Sequence, residues 1–330
     1  MGEEPMLQRI NKTMETWMPL ITPSSVLIGM LCAAWFSPFT AWVPWIFAFM
    51  TFSGSLSLNF GDLKRVLSHP MPIFVFLIVL HGVMPLMAWG VGHLAFPDDP
   101  LTVTGLILLL SIPTGIVSFM WVSMYKGHIA LTLSMILVDT MLSPFLVPFT
   151  LSLMVGTKVE MDVWGMMEGL AWMVVVPSLL GMALNQWTRG AVKTKLGPKL
   201  APFSKIGLAV VIMINSSVIA GYLTGFTAEL LFLAAICVLV VALGYGIGRG
   251  TASLFGWDRS VAVTMTFNCG MRNISAGAVL AIAYFPPPVA LPAIIGMMFQ
   301  QMMASLFAYM FFGRKAAAGT AGAAATKHSA

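Results

Sequence analysis

Apolar residues fall into ten long stretches, at 18–37, 41–59, 72–95, 101–124, 129–155, 164–187, 202–225, 229–254, 259–284 and 288–312, parted by short polar turns. Each is close to the ~20 residues with which an α-helix crosses a bilayer. Transmembrane strands would show short alternating segments instead of these continuous runs. The pattern predicts an all-α integral membrane protein of ten transmembrane helices. Composition points the same way: 58% of the residues are hydrophobic, 9% are charged, and the mean hydropathy is +0.91. A soluble domain of this size could not bury so much apolar surface. Residues 1–17 are polar and no small-residue cleavage site follows the first apolar run, so that run is read as a span and not as a cleaved signal. The tail, 313–330, is rich in Ala, Gly and Ser from Ala316 onward and is expected to be disordered.

Charge sets the orientation. With the N-terminus inside, the cytoplasmic positions hold Arg9, Lys12, Lys64, Arg65, Lys126, Arg189, Lys193, Lys195, Lys199, Lys205, Arg249, Arg259, Arg314, Lys315 and Lys327, fifteen of the seventeen Lys and Arg residues. Lys158 falls outside and Arg272 within the membrane. Cytoplasmic loops concentrate positive charge, and an error of one segment would scramble this pattern. The expectation is a multi-pass protein of the plasma (inner) membrane with both termini cytoplasmic and lipid around it. The net charge of +5 reports that orientation; no basic stripe with interleaved aromatics suggests nucleic-acid binding. Cys32, Cys237 and Cys269 lie in apolar stretches at spacings that match neither a disulfide framework nor a metal motif. No cofactor is indicated, and a monomer is expected.

Ten spans without a long insertion suggest two halves of five, 18–155 and 164–312. Five being odd, the second half enters the membrane in the opposite sense, the inverted repeat of many transporters. Segments four and nine should then correspond, and both are interrupted. Segment four carries Ser111-Ile112-Pro113-Thr114-Gly115-Ile116-Val117-Ser118, and segment nine Asn268-Cys269-Gly270-Met271-Arg272-Asn273. Pro113 removes a backbone donor and Gly115 loosens the turn, freeing backbone groups to meet a ligand. Pro and Gly are also common in ordinary membrane helices, where most only kink or pack. Their matched placement favours a binding site, with broken helices 4 and 9 crossing at the bilayer midplane.

Arg272 lies roughly twelve residues from either end of its span, about 18 Å deep at 1.5 Å per residue. Facing lipid there would cost at least ~2.5–3.5 kcal/mol. It therefore meets protein, water or a bound anion, for which its fork is well shaped. Asp139 is similarly deep in segment five and must be paired or protonated. Arg272 is the intramembrane cation within its reach, so an Asp139–Arg272 pair is expected, either opening and closing during transport or permanent. His81, in mid-segment three, could relay protons or serve as a hydrogen-bonding core residue. His93 and His128 are expected at the interfaces, and Glu168 in solvent. Gln300 and Gln301 form an amide pair that should face the bundle interior. The 27 methionines suggest adaptable lining or simple core filling.

These residues resemble the bile acid:sodium symporter family over roughly 18–312. The likeness rests on Phe60-Gly61-Asp62-Leu63-Lys64-Arg65-Val66-Leu67, Met84-Pro85-Leu86-Met87-Ala88-Trp89, Lys126-Gly127-His128-Ile129-Ala130-Leu131, Ser143-Pro144 and Gly270-Met271-Arg272-Asn273, in that order and spacing. It implies a panel of helices 1, 2, 6 and 7 and a core of helices 3–5 and 8–10, carrying organic anions by alternating access. It also implies substrate contacts at Thr114, Ser118, Arg272, Asn273 and Gln301, and coupling positions at His81, Thr132, Asp139, Asn268, Cys269, Met271 and Arg272.

The chain departs from the family pattern at those coupling positions. Sodium-coupled members have a Glu where Asn268 stands, a Gln at Arg272, an Asn at Phe119 and a Gln at His81. They have hydroxyl or small polar residues at Ile136 and Asp139. Hard cations want several oxygens, preferably with a carboxylate. A fixed cation has entered where that carboxylate is gone, which speaks against ordinary sodium coupling. Arg272 then stands in for the ion, binds the substrate's carboxylate or sulfonate, or locks the crossing as a structural pair. The function expected is secondary transport of a small organic anion by uniport, exchange or proton symport. A sodium- or proton-coupled organic anion symporter, and a non-transporting sensor on the same scaffold, are the rivals. Intramembrane proteolysis would want two adjacent carboxylates, zinc hydrolysis a His-Glu-x-x-His pattern, and arsenite efflux a cysteine in segment four.

Overall fold

The computed structural model describes residues 6–61, 70–156, 159, 161–222 and 227–313. Residues 62–67 of the Phe60 motif, Lys158 and the tail from Arg314 lie outside the described residues. Helices cover all ten apolar stretches, and no strand occurs among the described residues. In chain order they are α1 (Met6–Leu31), α2 (Ala33–Ser55), α3 (Pro70–Ala95), α4 (Pro100–Ser111), α5 (Ser118–Met124), α6 (Ile129–Val155), α7 (Val163–Trp187), α8 (Gly197–Tyr222), α9 (Ala228–Leu254), α10 (Arg259–Gly270), α11 (Ile274–Tyr284) and α12 (Pro287–Phe312). Seven of them, α2, α3, α6, α7, α8, α9 and α12, are long and apolar enough to cross a membrane. The fourth and ninth stretches are each two shorter helices, α4 with α5 and α10 with α11. The first helix begins at Met6, inside the polar segment. Leu, Gln, Lys, Met and Glu there are good helix formers and extend the span.

Local chemistry marks several starts. Asp99 caps α4 by accepting from the N–H groups of Leu101 and Thr102, Asp162 caps α7 through Gly165, and Asp258 caps α10 through Ser260 and Val261. Such caps are typically worth about 1 kcal/mol each. Within α3 the turn Val79–Val83 is a π-helical bulge. Pro85 explains it: its ring would strike the carbonyl four residues earlier, that of His81, and the helix widens to avoid the clash.

α1 lies along α8, and both α8 and α7 pack on α2. A Cβ on Gly29 would sit 2.2 Å from the Met213 carbonyl oxygen, so only glycine admits the α1–α8 approach. Beside them α3 packs on α4, α4 on α6 and α12, and α9 on α10 and α12, with α7 on α6 and α8 on α11 joining the two sets. The interrupted helices are the most enclosed: every residue from Thr102 to Ser111, and from Val261 to Gly270, is buried.

Candidate functional site

The two interruptions meet. α4 stops at Ser111 because Pro113 holds Ile112 extended, at ψ 152°. α10 stops at Gly270, and Met271 is extended at φ −103°, ψ 92°. Thr114 and Arg272 then pair as an isolated antiparallel bridge. Gly115 N–H donates to the Met271 carbonyl at 2.9 Å, and Asn273 N–H to that of Pro113 at 2.8 Å. Each break thus satisfies the backbone groups the other has freed. The approach is close: a Cβ on Gly115 would lie 3.1 Å from the Arg272 carbonyl oxygen. Asn273 also caps α11, its side chain accepting from Ala276 N–H.

Arg272 is 2% exposed. Its Nη2 donates to the Ile112 carbonyl, and its backbone N–H donates to Gln300 Oε1 at 3.0 Å. Nε and Nη1 have no partner. The expected direct pair with Asp139 does not form. Asp139, fully buried, accepts from His81 Nε2 at 2.7 Å through Oδ1 and from Thr114 N–H at 2.7 Å through Oδ2. Two causes separate the charges. The bulge before Pro85 turns His81 toward α6, and the guanidinium is drawn to the unpaired carbonyls and negative dipole end of α4. Asp139 and Arg272 still feel each other's charge, and the Thr114 backbone links them.

Asn268 is fully buried; its Nδ2 donates to Met135 Sδ at 3.4 Å and its Oδ1 is unpartnered. Its carbonyl accepts from Thr114 Oγ1 at 3.0 Å. The crossing therefore collects Thr114, Asn268, Met271, Arg272 and Asn273, with Asp139 and His81 behind it. Ser118 opens α5, buried, with its hydroxyl unpartnered. Three named positions are engaged elsewhere. Thr132 donates to the His128 carbonyl at 3.1 Å and sits 3.4 Å from the Thr264 hydroxyl. Gln301 accepts from Trp121 Nε1 at 3.2 Å, and Cys269 packs on α9 near Gly248. Gln300, not Gln301, reaches the crossing. Tyr245, whose hydroxyl donates to the Gln300 carbonyl at 3.0 Å, went unread in the sequence; its polar tip in an apolar run was the available signal. Asn215 and Ser216 on α8 were missed too: both are buried, and the Asn215 amide and Ser216 hydroxyl lack partners.

The site can thus hold charge in the buried interior. It offers a fixed guanidinium with unused N–H groups, an amide oxygen and a hydroxyl, and a carboxylate shared by an imidazole and a backbone amide.

Known proteins bear on this geometry. Residues 44–226 match the sodium bile acid symporter family. The uncharacterized Bacillus subtilis protein YbaS is 51% identical over 293 residues, 89% of this chain and 96% of that protein. The probable sodium/metabolite cotransporter BASS1 of Oryza sativa subsp. japonica chloroplasts is 26% identical over 93% of this chain and 75% of its own. The uncharacterized sodium-dependent transporter YocS of B. subtilis is 24% identical over 86% of each chain. This chain belongs to the sodium bile acid symporter family, whose members are secondary transporters and not enzymes.

Proposed function

We propose that the protein carries a small organic anion across the plasma membrane by alternating access, and that Arg272 holds its helix crossing where sodium-coupled relatives hold an ion. The observation that carries this is the guanidinium itself. It is enclosed at the Thr114–Arg272 bridge, bonded to the end of α4, with Nε and Nη1 unused. Asn268 brings an amide where a hard cation wants a carboxylate. Relatives named as sodium cotransporters are 24–26% identical to this chain, distant enough for a coupling site to have changed. Substrate contacts are assigned to Thr114, Ser118, Arg272 and Asn273, with Gln301 at the periphery.

Ten spans in two inverted halves account for two broken helices that meet head to head. Helices α1, α2, α7 and α8 serve as the panel, and the remaining helices as the core. Where α8 faces α2 and α11, Asn215 lines a cavity of about 30 Å³ with Thr40, Val43, Pro44, Val279, Ile282 and Ala283.

Thermal stabilisation of the purified protein against a panel of carboxylates and sulfonates, with and without sodium, identifies the ligand, since a ligand of the native state raises stability by mass action. Uptake of that anion into proteoliposomes should be nearly unchanged when potassium or choline replaces sodium. Uptake that collapses in choline would sink the sodium-free carrier, and binding without flux would leave a sensor.

A further inference from the structure

We propose that His81 and Asp139 form a proton-binding site, with the exchanging proton taken up at His81 Nδ1. The inference deepens the carrier function above, resting on it only for what the proton is coupled to. The pair is enclosed: the His81 side chain is 7% exposed and that of Asp139 0%. The 2.7 Å contacts of Oδ1 with His81 Nε2 and of Oδ2 with Thr114 N suit an ionised carboxylate, and we take Asp139 as one in the proton-free state of the pair. An ionised carboxylate only accepts, so Nε2 carries a hydrogen and donates it. The lone pair of the neutral ring then lies on Nδ1, which is buried and has no hydrogen-bond partner. One proton added there makes an imidazolium, no other bond changes, and the new charge rests against Asp139.

Charge balance says when that proton should arrive. The other charged or titratable groups bearing on the pair are Arg272 and Cys269, at the end of α10. Elsewhere on the helices packed around it, His93, Tyr125, His128, Glu168, Glu229, Arg249, Asp258 and Arg259 stand near helix ends, while Cys237 and Tyr245 lie buried within α9, the Tyr245 hydroxyl donating to the Gln300 carbonyl. Arg272 and Asp139 alone sum to zero. A bound monoanion would leave one uncompensated negative charge in a buried site, which is costly. A proton on His81 restores neutrality. Through Asp139 Oδ2 the same carboxylate holds the Thr114 N–H of the bridge, so protonation is felt at the crossing. The bulge that aims His81 is itself a helix irregularity of the kind that recurs at functional sites.

The full-length protein in lipid nanodiscs, labelled with ring-¹⁵N histidine, contains five histidines, and the His81 resonance is the one lost in His81→Gln. No anion is added, so loss of anion flux and loss of titration are separate results. In the wild type the His81 signal should pass from neutral ring to imidazolium as the sample is acidified. In Asp139→Asn, which removes the carboxylate that favours the imidazolium, that transition should move to lower pH. A wild-type signal that never changes while the protein stays folded overturns the proposal, as does a transition indifferent to Asp139→Asn.

Discussion

Arg272, Asp139 and His81 share one buried neighbourhood, and which pairs with which decides how each responds to substitution. Asp139 is bonded to His81 and linked to Arg272 only through Thr114. A double-mutant cycle of His81→Gln with Asp139→Asn should therefore show a coupling of about 1–3 kcal/mol, larger than that of Arg272→Gln with Asp139→Asn. Denaturant unfolding in detergent measures both, and a larger Arg272 coupling would mean that the guanidinium is the true partner. Arg272→Ala carries a further signature. It removes the buried cation whose charge Asp139 feels across the Thr114 backbone, and should destabilise the protein. Acidification that charges His81 supplies a replacement, so the deficit relative to wild type should shrink as the pH is lowered. A deficit constant with pH would show that His81 does not take the proton. The sequence showed that both charges were too deep to stand alone. It did not show their pairing, because that depends on where one widened turn of α3 aims an imidazole.

The broken helices were legible because their breakers act locally. Pro113 bars the preceding residue from helix, and Gly270 with Asn268 and Asn273 lowers helix propensity where α10 ends. The bulge in α3 has a local cause as well, Pro85 against the carbonyl of His81, but a proline inside a span announces only some irregularity. Gly270 has a second role that propensity does not reveal. A Cβ there would lie 2.2 Å from the Tyr245 ring. That ring is fully buried, and its hydroxyl donates to the Gln300 carbonyl, while Gln300 Oε1 accepts from Arg272 N–H. Gly270→Ala should push Tyr245 aside and disturb this chain, at about 1–3 kcal/mol of overpacking. Transport should fall further than stability, since the displaced contacts end at Arg272. Pairing it with Tyr245→Phe, which keeps the ring and drops the hydroxyl, separates the causes. If Tyr245→Phe transports normally, the Gly270→Ala defect is steric and does not run through Gln300.

At the scale of the whole molecule the open quantity is orientation. The helices and their packing leave both senses of insertion available, whereas the charges do not. Arg189, Lys193, Lys195 and Lys199 crowd the connection from α7 to α8, and Arg249 and Arg259 flank the connection from α9 to α10. The α3–α4 connection holds Asp98 and Asp99 with no Lys or Arg. Positive loops stay in the cytoplasm, so the Asp98 connection should face outward and the Lys199 connection inward. Both residues are exposed and accept a cysteine without disturbing packing. The native Cys32 is also exposed, whereas Cys237 and Cys269 are buried. Cys32 lies where α1 gives way to α2 and belongs on the outward side. In a Cys32→Ser background, a membrane-impermeant maleimide added to intact cells should label Asp98→Cys and spare Lys199→Cys until the membrane is opened. The unsubstituted chain should itself be labelled from outside at Cys32. Labelling of Asp98→Cys and Lys199→Cys from one side would break the alternation on which the inverted halves rest, because an odd number of crossings separates the two positions. An α4–α5 segment that re-entered its own side would produce that result, and the fourth stretch would then be a re-entrant pair of helices and not a spanning one.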